Sequence, residues 1–216
     1  LQILVWGGSF FLLAVMAAPI VGDTGWAPQW VYGALSLSLL VSALLAPLTS
    51  RLIARFGGRP VLASSGAVVA AGLLVMAWAP SLGWFLFGWG VIGVGMALGL
   101  YEALFASLGA LYGEKAAGAI TGITLISGFA STLTWPLVAL LIEHLGWRAT
   151  CVAYALVLLL SVAPLYWKAL PGGVGIRIAS KVQQASEDRV DPQVYWLLTA
   201  IFAIGAVLMT AVAVHL

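Results

Sequence analysis

Apolar residues run along this chain in stretches of about 20, cut by short clusters of Gly, Pro and charged side chains. A helix of about 20 apolar residues is long enough to cross a hydrocarbon layer of about 30 Å. Cutting at the clusters leaves seven such spans, near residues 3–22, 29–50, 60–79, 83–111, 118–142, 149–167 and 194–215. Most connections between them are short. The exception, 168–192, begins with Pro171, Gly172 and Gly173, continues with mixed charges, and reads as a linker between helical bundles. The pattern predicts an all-α integral membrane protein in three parts. A six-helix bundle occupies 1–167, a cytoplasmic linker 168–192, and the first helix of a second bundle 193–216.

Composition strengthens this picture. With 63% apolar and 7% charged residues and a mean hydropathy of +1.11, the chain has too little polar surface for a water-soluble globule of 216 residues. Its solvent is the lipid bilayer, which suits the 25 Gly and ten Trp, used for close helix contact and at the headgroup level. The net charge of +2 comes without a basic run, so nucleic acid is not an expected partner. The single Cys151 rules out an internal disulfide and sits among apolar residues as a small hydrophobe. The first span is too long for a cleavable signal and is followed by more spans. Because the chain opens at Leu1 and not Met, an upstream piece is expected.

Charge sets the orientation. With the N-terminus cytoplasmic, Arg51, Arg55, Arg59, Lys115, Lys168, Arg177, Lys181 and Arg189 fall on the inner side and only Arg148 outside, as the positive-inside rule requires. The predicted location is the cell (inner) membrane, with the linker also cytoplasmic. The segment Leu52-Ile53-Ala54-Arg55-Phe56-Gly57-Gly58-Arg59 recurs as Leu141-Ile142-Glu143-His144-Leu145-Gly146-Trp147-Arg148, with Leu, Ile, Gly and Arg in register. Each copy closes the second helix of a three-helix group. Three is odd, so the copies face opposite compartments, and Arg148 becomes the outer counterpart of Arg59. Two inverted three-helix repeats follow, a plan that gives a bundle two related packings to switch between.

Ser50 to Pro60, Ser-Arg-Leu-Ile-Ala-Arg-Phe-Gly-Gly-Arg-Pro, resembles the loop between helices 2 and 3 of the major facilitator superfamily, and Gly146-Trp147-Arg148 is similar to its helix 5 to 6 turn. The resemblance covers essentially the whole chain and is nearest to bacterial members of unassigned substrate. It implies a secondary active transporter working by alternating access. It also implies 12 helices, so that five lie beyond Leu216 and the chain is either a fragment or a natural truncation needing a partner bundle. Two departures stand out. The family loop usually opens with Gly and has an acid before the Arg, where this chain has Ser50 and Ala54; and the fifth span has Gly128-Phe129-Ala130-Ser131 and Trp135-Pro136 in place of the signature of drug antiporters.

Glu102 is the one ionisable side chain deep in a span, and an unpaired carboxylate there is costly. Since the resemblance makes helices 1, 4 and 7 line the pathway, Glu102 and Tyr101, with Ser9 and Phe10 from the first span, are the candidates for contact with solute or proton. The competing reading has Glu102 snorkelling toward Arg55. Arg51, Arg55, Gly57 and Arg59 form a candidate cytoplasmic gating loop. Gly95 with Gly99, and Gly118 with Gly122, are spaced to place small residues on one helix face for packing. Pro19 and Pro136 are expected to bend their helices, and Asp23, Trp26 and Trp30 to occupy the outer loop and aromatic belt.

Other functions fit less well. A seven-helix receptor or retinal protein suits the span count, but residues 190–216 carry no Lys to link a retinal. An intramembrane enzyme needs converging nucleophile, base or metal ligands, and Glu102 stands alone. His144 and His215 have no acid or Cys at ligand spacing, so no metal and no cofactor is expected. The reading is a transporter of a small solute, with a proton as candidate coupling ion and Glu102 as its carrier. The alternatives are a receptor-like protein or a partner-dependent half transporter.

Overall fold

The computed structural model describes residues 1–170, apart from the side chain of Glu114, and beyond them Leu197, Ala200, Ile201, Ile204 and Gly205, which are helical. The linker past Leu170 and most of the seventh span therefore lie outside the described residues. The described chain is built of helices, with no strand among the described residues. They are α1 (Gln2–Gly7), α2 (Leu12–Thr24), α3 (Pro28–Phe56), α4 (Gly58–Ala77), α5 (Leu82–Gly99), α6 (Tyr101–Tyr112), α7 (Ala116–Ser127) and α8 (Ala130–Ala169).

Among the described residues, five helical stretches are long and apolar enough to cross a membrane: Gln2–Thr24, Pro28–Phe56, Gly58–Ala77, Leu82–Tyr112 and Ala116–Ala169. The last turns back at Gly146, so α8 has two limbs and residues 1–170 make six crossings. Leu44 and Leu160 are 71% and 76% exposed, an outer surface that lipid tolerates and water does not. The molecule is an all-α membrane bundle.

The two turns that bring Arg59 and Arg148 into place share one backbone geometry. Gly57 has φ 84°, ψ 163° and Gly146 has φ 77°, ψ 164°, a region open essentially to Gly alone. Gly146 is position 57 + 89, and the same offset runs through the bundle: α6 begins at Tyr101, position 12 + 89, where α2 begins at Leu12. From Arg59 to Arg148 the chain crosses three times, which puts the two arginines at opposite ends.

Each repeat's first crossing packs on the second and third crossings of the other. On one side Gly93 of α5 sits against Ser38 of α3, whose hydroxyl donates to the Trp89 carbonyl at 2.7 Å, while Gly72 and Gly88 bring the backbones of α4 and α5 together. On the other side α1 and α2 lie along α8, Met16 Sδ being 3.8 Å from Cys151 Sγ. Between the repeats Gly66 of α4 receives Val162 of α8, where a Cβ would come within 2.5 Å. Phe85, Trp89, Leu12, Met16, Leu62 and Leu158 fill the interior.

Candidate functional site

Both first crossings are interrupted. Between α1 and α2, residues 8–11 leave the regular helix; between α5 and α6, Leu100 takes an extended conformation, φ −78° and ψ −172°. By the repeat offset, Leu100 corresponds to Phe11. In a bilayer the backbone groups freed by such breaks need partners from the protein. Ser9 Oγ donates to the Val5 carbonyl at 2.6 Å, and Tyr154 of α8 adds its hydroxyl at 3.2 Å to a Leu4 carbonyl that also accepts from the Gly8 N–H at 2.9 Å. At the other break Gln2 Nε2 donates to the Gly99 carbonyl at 2.9 Å and to Tyr166 Oη at 3.1 Å. Gly7 and Gly8 make room for Tyr154, since a Cβ on Gly8 would lie 2.7 Å from its ring.

Aromatic rings join the two breaks. Trp6 lies 4.9 Å from Tyr101, which stacks on Phe105 at 5.1 Å with an interplanar angle of 12°. Phe11 meets Trp6 at 5.9 Å, and buried Phe10 sits edge-on to both at 5.3 Å. The Trp6 indole N–H and the Gln2 Oε1 atom are buried without a hydrogen-bond partner among the described residues.

Glu102 follows Tyr101 in the first turn of α6 and is exposed on the face that also carries Ala106 and Gly109. The free amide groups at a helix start favour a negative group there. It makes no ion pair with Arg55 or any other described residue, the one ion pair among the described residues being Arg148 to Asp23. The chain thus exposes a carboxylate beside an aromatic surface at the crossing of two broken helices.

The fold and the repeat point to one family, and the comparison of sequences agrees: the profile of the Major Facilitator Superfamily matches residues 1–216. The chain belongs to the major facilitator superfamily. Among curated proteins, this superfamily member is 31% identical over 102 residues to monocarboxylate transporter 9 of Pongo abelii, covering 47% of the chain and 18% of that protein. It is 35% identical over 129 residues to monocarboxylate transporter 3 of Rattus norvegicus, covering 58% of the chain and 24% of that protein. The chain thus spans about a quarter or less of the curated relatives it matches. No solved structure gives a significant match.

Within this superfamily member the other sequence candidates are placed as follows. Ser9 is fully buried and bonded to its own helix, and Phe10 is 7% exposed behind Trp6, so neither faces outward in this conformation. Arg51 and Arg55 are exposed, Arg55 lying over Phe56, and Arg59 rests 4.0 Å above the Trp167 ring with its Nε buried. Gly95 and Gly99 face α4, where their Cβ atoms would collide with Val69 and Ser65. Gly118 and Gly122 differ: a Cβ on either would meet nothing within 4 Å, so the packing expected of them has no counterpart among the described residues.

Trp6, Phe11 and Phe105 are not among the sequence candidates, although their spacing around Gly7-Gly8 and Glu102 is visible in the chain. By sequence Asp23 belongs to the outer loop and aromatic belt. In the structure Asp23 Oδ2 accepts from Trp147 Nε1 at 2.9 Å and pairs with Arg148, tying the end of α2 to the second limb of α8.

Proposed function

We propose that this chain supplies the N-terminal bundle of a secondary active transporter that moves a small monocarboxylate by alternating access, with Glu102 carrying a coupled proton. The observation that carries the reading is the exposed Glu102 carboxyl at the junction of two crossings interrupted at repeat-equivalent positions. Broken helices near mid-membrane are where transporters of this plan hold solute and coupling ion. The curated relatives named monocarboxylate transporters supply the solute class.

Electrostatics gives the coupling its sign. A carboxylate solute and an ionised Glu102 repel each other strongly where water is excluded. A proton on Glu102 removes that repulsion, so solute and proton enter together. A second helical bundle closes the other side of the pathway, with Arg51, Arg55, Gly57 and Arg59 forming the cytoplasmic latch and the N-terminus and linker in the cytoplasm of a cell membrane. The inverted repeats support rocking between two related packings.

Reconstitution of the natural protein bearing this chain into liposomes tests the reading. An inward proton gradient is expected to drive accumulation of a labelled monocarboxylate, drawn from a panel of aliphatic and aromatic acids, above empty liposomes, and Glu102→Gln to lose the accumulation while keeping solute exchange. No gradient-driven uptake of any monocarboxylate would end the transport assignment; accumulation undiminished in Glu102→Gln would end the role of that carboxyl.

A further inference from the structure

The ring ladder does more than fill space, because it lies on the partly open side of the bundle. Phe11, Trp6, Tyr101 and Phe105 are all half-buried, and they touch in that order at centroid distances of 5.9, 4.9 and 5.1 Å. Phe10 braces them from behind. In front, Ala106 and Gly109 are exposed and small, and a Cβ on Gly109 would meet no atom within 4 Å, so space is left over the face of α6. Glu102 stands on that face, beside Tyr101 and one turn from Phe105.

We infer that the ladder Phe11, Trp6, Tyr101 and Phe105 seats the organic tail of the solute, so that the acid carried bears a planar aromatic group and is not a short hydroxy or keto acid. The inference deepens the transporter reading and rests on Glu102 as the point where the solute's head lies. Acyl chains suit this strip poorly, since a carboxylate in its middle is costly against hydrocarbon. An apolar helix suits it poorly for the same reason. A solute with a polar head and a flat tail matches both halves: its head meets the protonated Glu102, and its ring continues a stack already begun by Tyr101 and Phe105. Short acids leave the rings uncovered and gain nothing from them.

Equilibrium titration of the purified natural protein with 3-phenylpropionate and with lactate reads the seat directly. The expected result is tighter binding of 3-phenylpropionate by at least about tenfold, as two or more ring contacts imply. Tyr101→Leu and Phe105→Leu should each shrink the ratio of the two affinities about 2- to 10-fold, while Phe105→Tyr retains it, with elution volume checking that each variant is folded. Equal affinities, or a ratio that both Leu variants leave intact, would overturn the seat. Proton-driven uptake with a flat ratio would sink the seat and leave the transport reading standing. A ratio that depends on Phe105 without proton-driven uptake would do the reverse.

Discussion

Gly57 and Gly146 hold the same backbone conformation at opposite ends of the bundle, φ 84°, ψ 163° and φ 77°, ψ 164°. Each reverses the chain in a single residue, so that Arg59 and Arg148 start the helices that follow. A side chain at either place forces a strained backbone. Gly57→Ala and Gly146→Ala are each expected to lower stability by about 1–3 kcal/mol, and Gly33→Ala, at an open helical position, to leave it within about 1 kcal/mol. Thermal unfolding in detergent checks all three.

Packing glycines divide into two kinds. Gly95→Leu or Gly99→Leu drives a side chain into Val69 or Ser65 of α4 and should cost about 1–3 kcal/mol or more. Gly118→Ala and Gly122→Ala meet nothing and sit in a helix, so they should leave stability unchanged or raise it by about 0.5–1 kcal/mol. Denaturation of the four variants in parallel separates the pairs.

Side-chain donors reinforce the breaks. Tyr154→Phe removes the second donor to the Leu4 carbonyl, which keeps the Gly8 N–H, at an expected loss of about 0.5–1.5 kcal/mol. Amide hydrogen exchange over residues 4–11 should quicken at the same time, while exchange in α4 stays slow. Unchanged exchange in both segments would show that the interruption of α1 holds itself.

Asp23 serves two donors at once. Asp23→Asn keeps an acceptor for Trp147 but loses the charge facing Arg148; Asp23→Ala loses both. The melting temperature is expected to fall in the order parent, Asn, Ala. The pair is about half exposed, so the step from parent to Asn should be the smaller one.

The first six spans and the repeat were legible in the sequence because both are written in chain order. Apolar length gives a crossing, and the two strings ending at Arg59 and Arg148 carry the turn that only Gly can make. Helical spacing places Gly95 and Gly99 on one side, and in the structure a Cβ on either would meet Val69 or Ser65 of α4. What the sequence hid was contact between distant positions. Gly7-Gly8 reads as ordinary membrane glycine until Tyr154, more than 140 positions on, fills the space it leaves. Ser9 is a pathway candidate by its place in the first span, and in the structure its hydroxyl bonds the Val5 carbonyl one turn back. The aromatic ladder and the Asp23 tie are likewise products of folding: Trp6 meets Tyr101, and Asp23 meets Arg148, only once the two repeats interlock.

The two ends of the bundle are fastened by different physics. At one, Arg148, lying 4.2 Å over the ring of its chain neighbour Trp147, is tied to α2 through the half-exposed carboxylate of Asp23; at the other, Arg59 of α4 is tied to α8 by the face of the Trp167 indole. Dissolved salt screens the first kind of contact far more than the second. Raising ionic strength therefore weakens the Arg148–Asp23 part of the tie between α2 and α8 more than the Arg59–Trp167 contact, so a single bundle feels its surroundings more at one end than at the other.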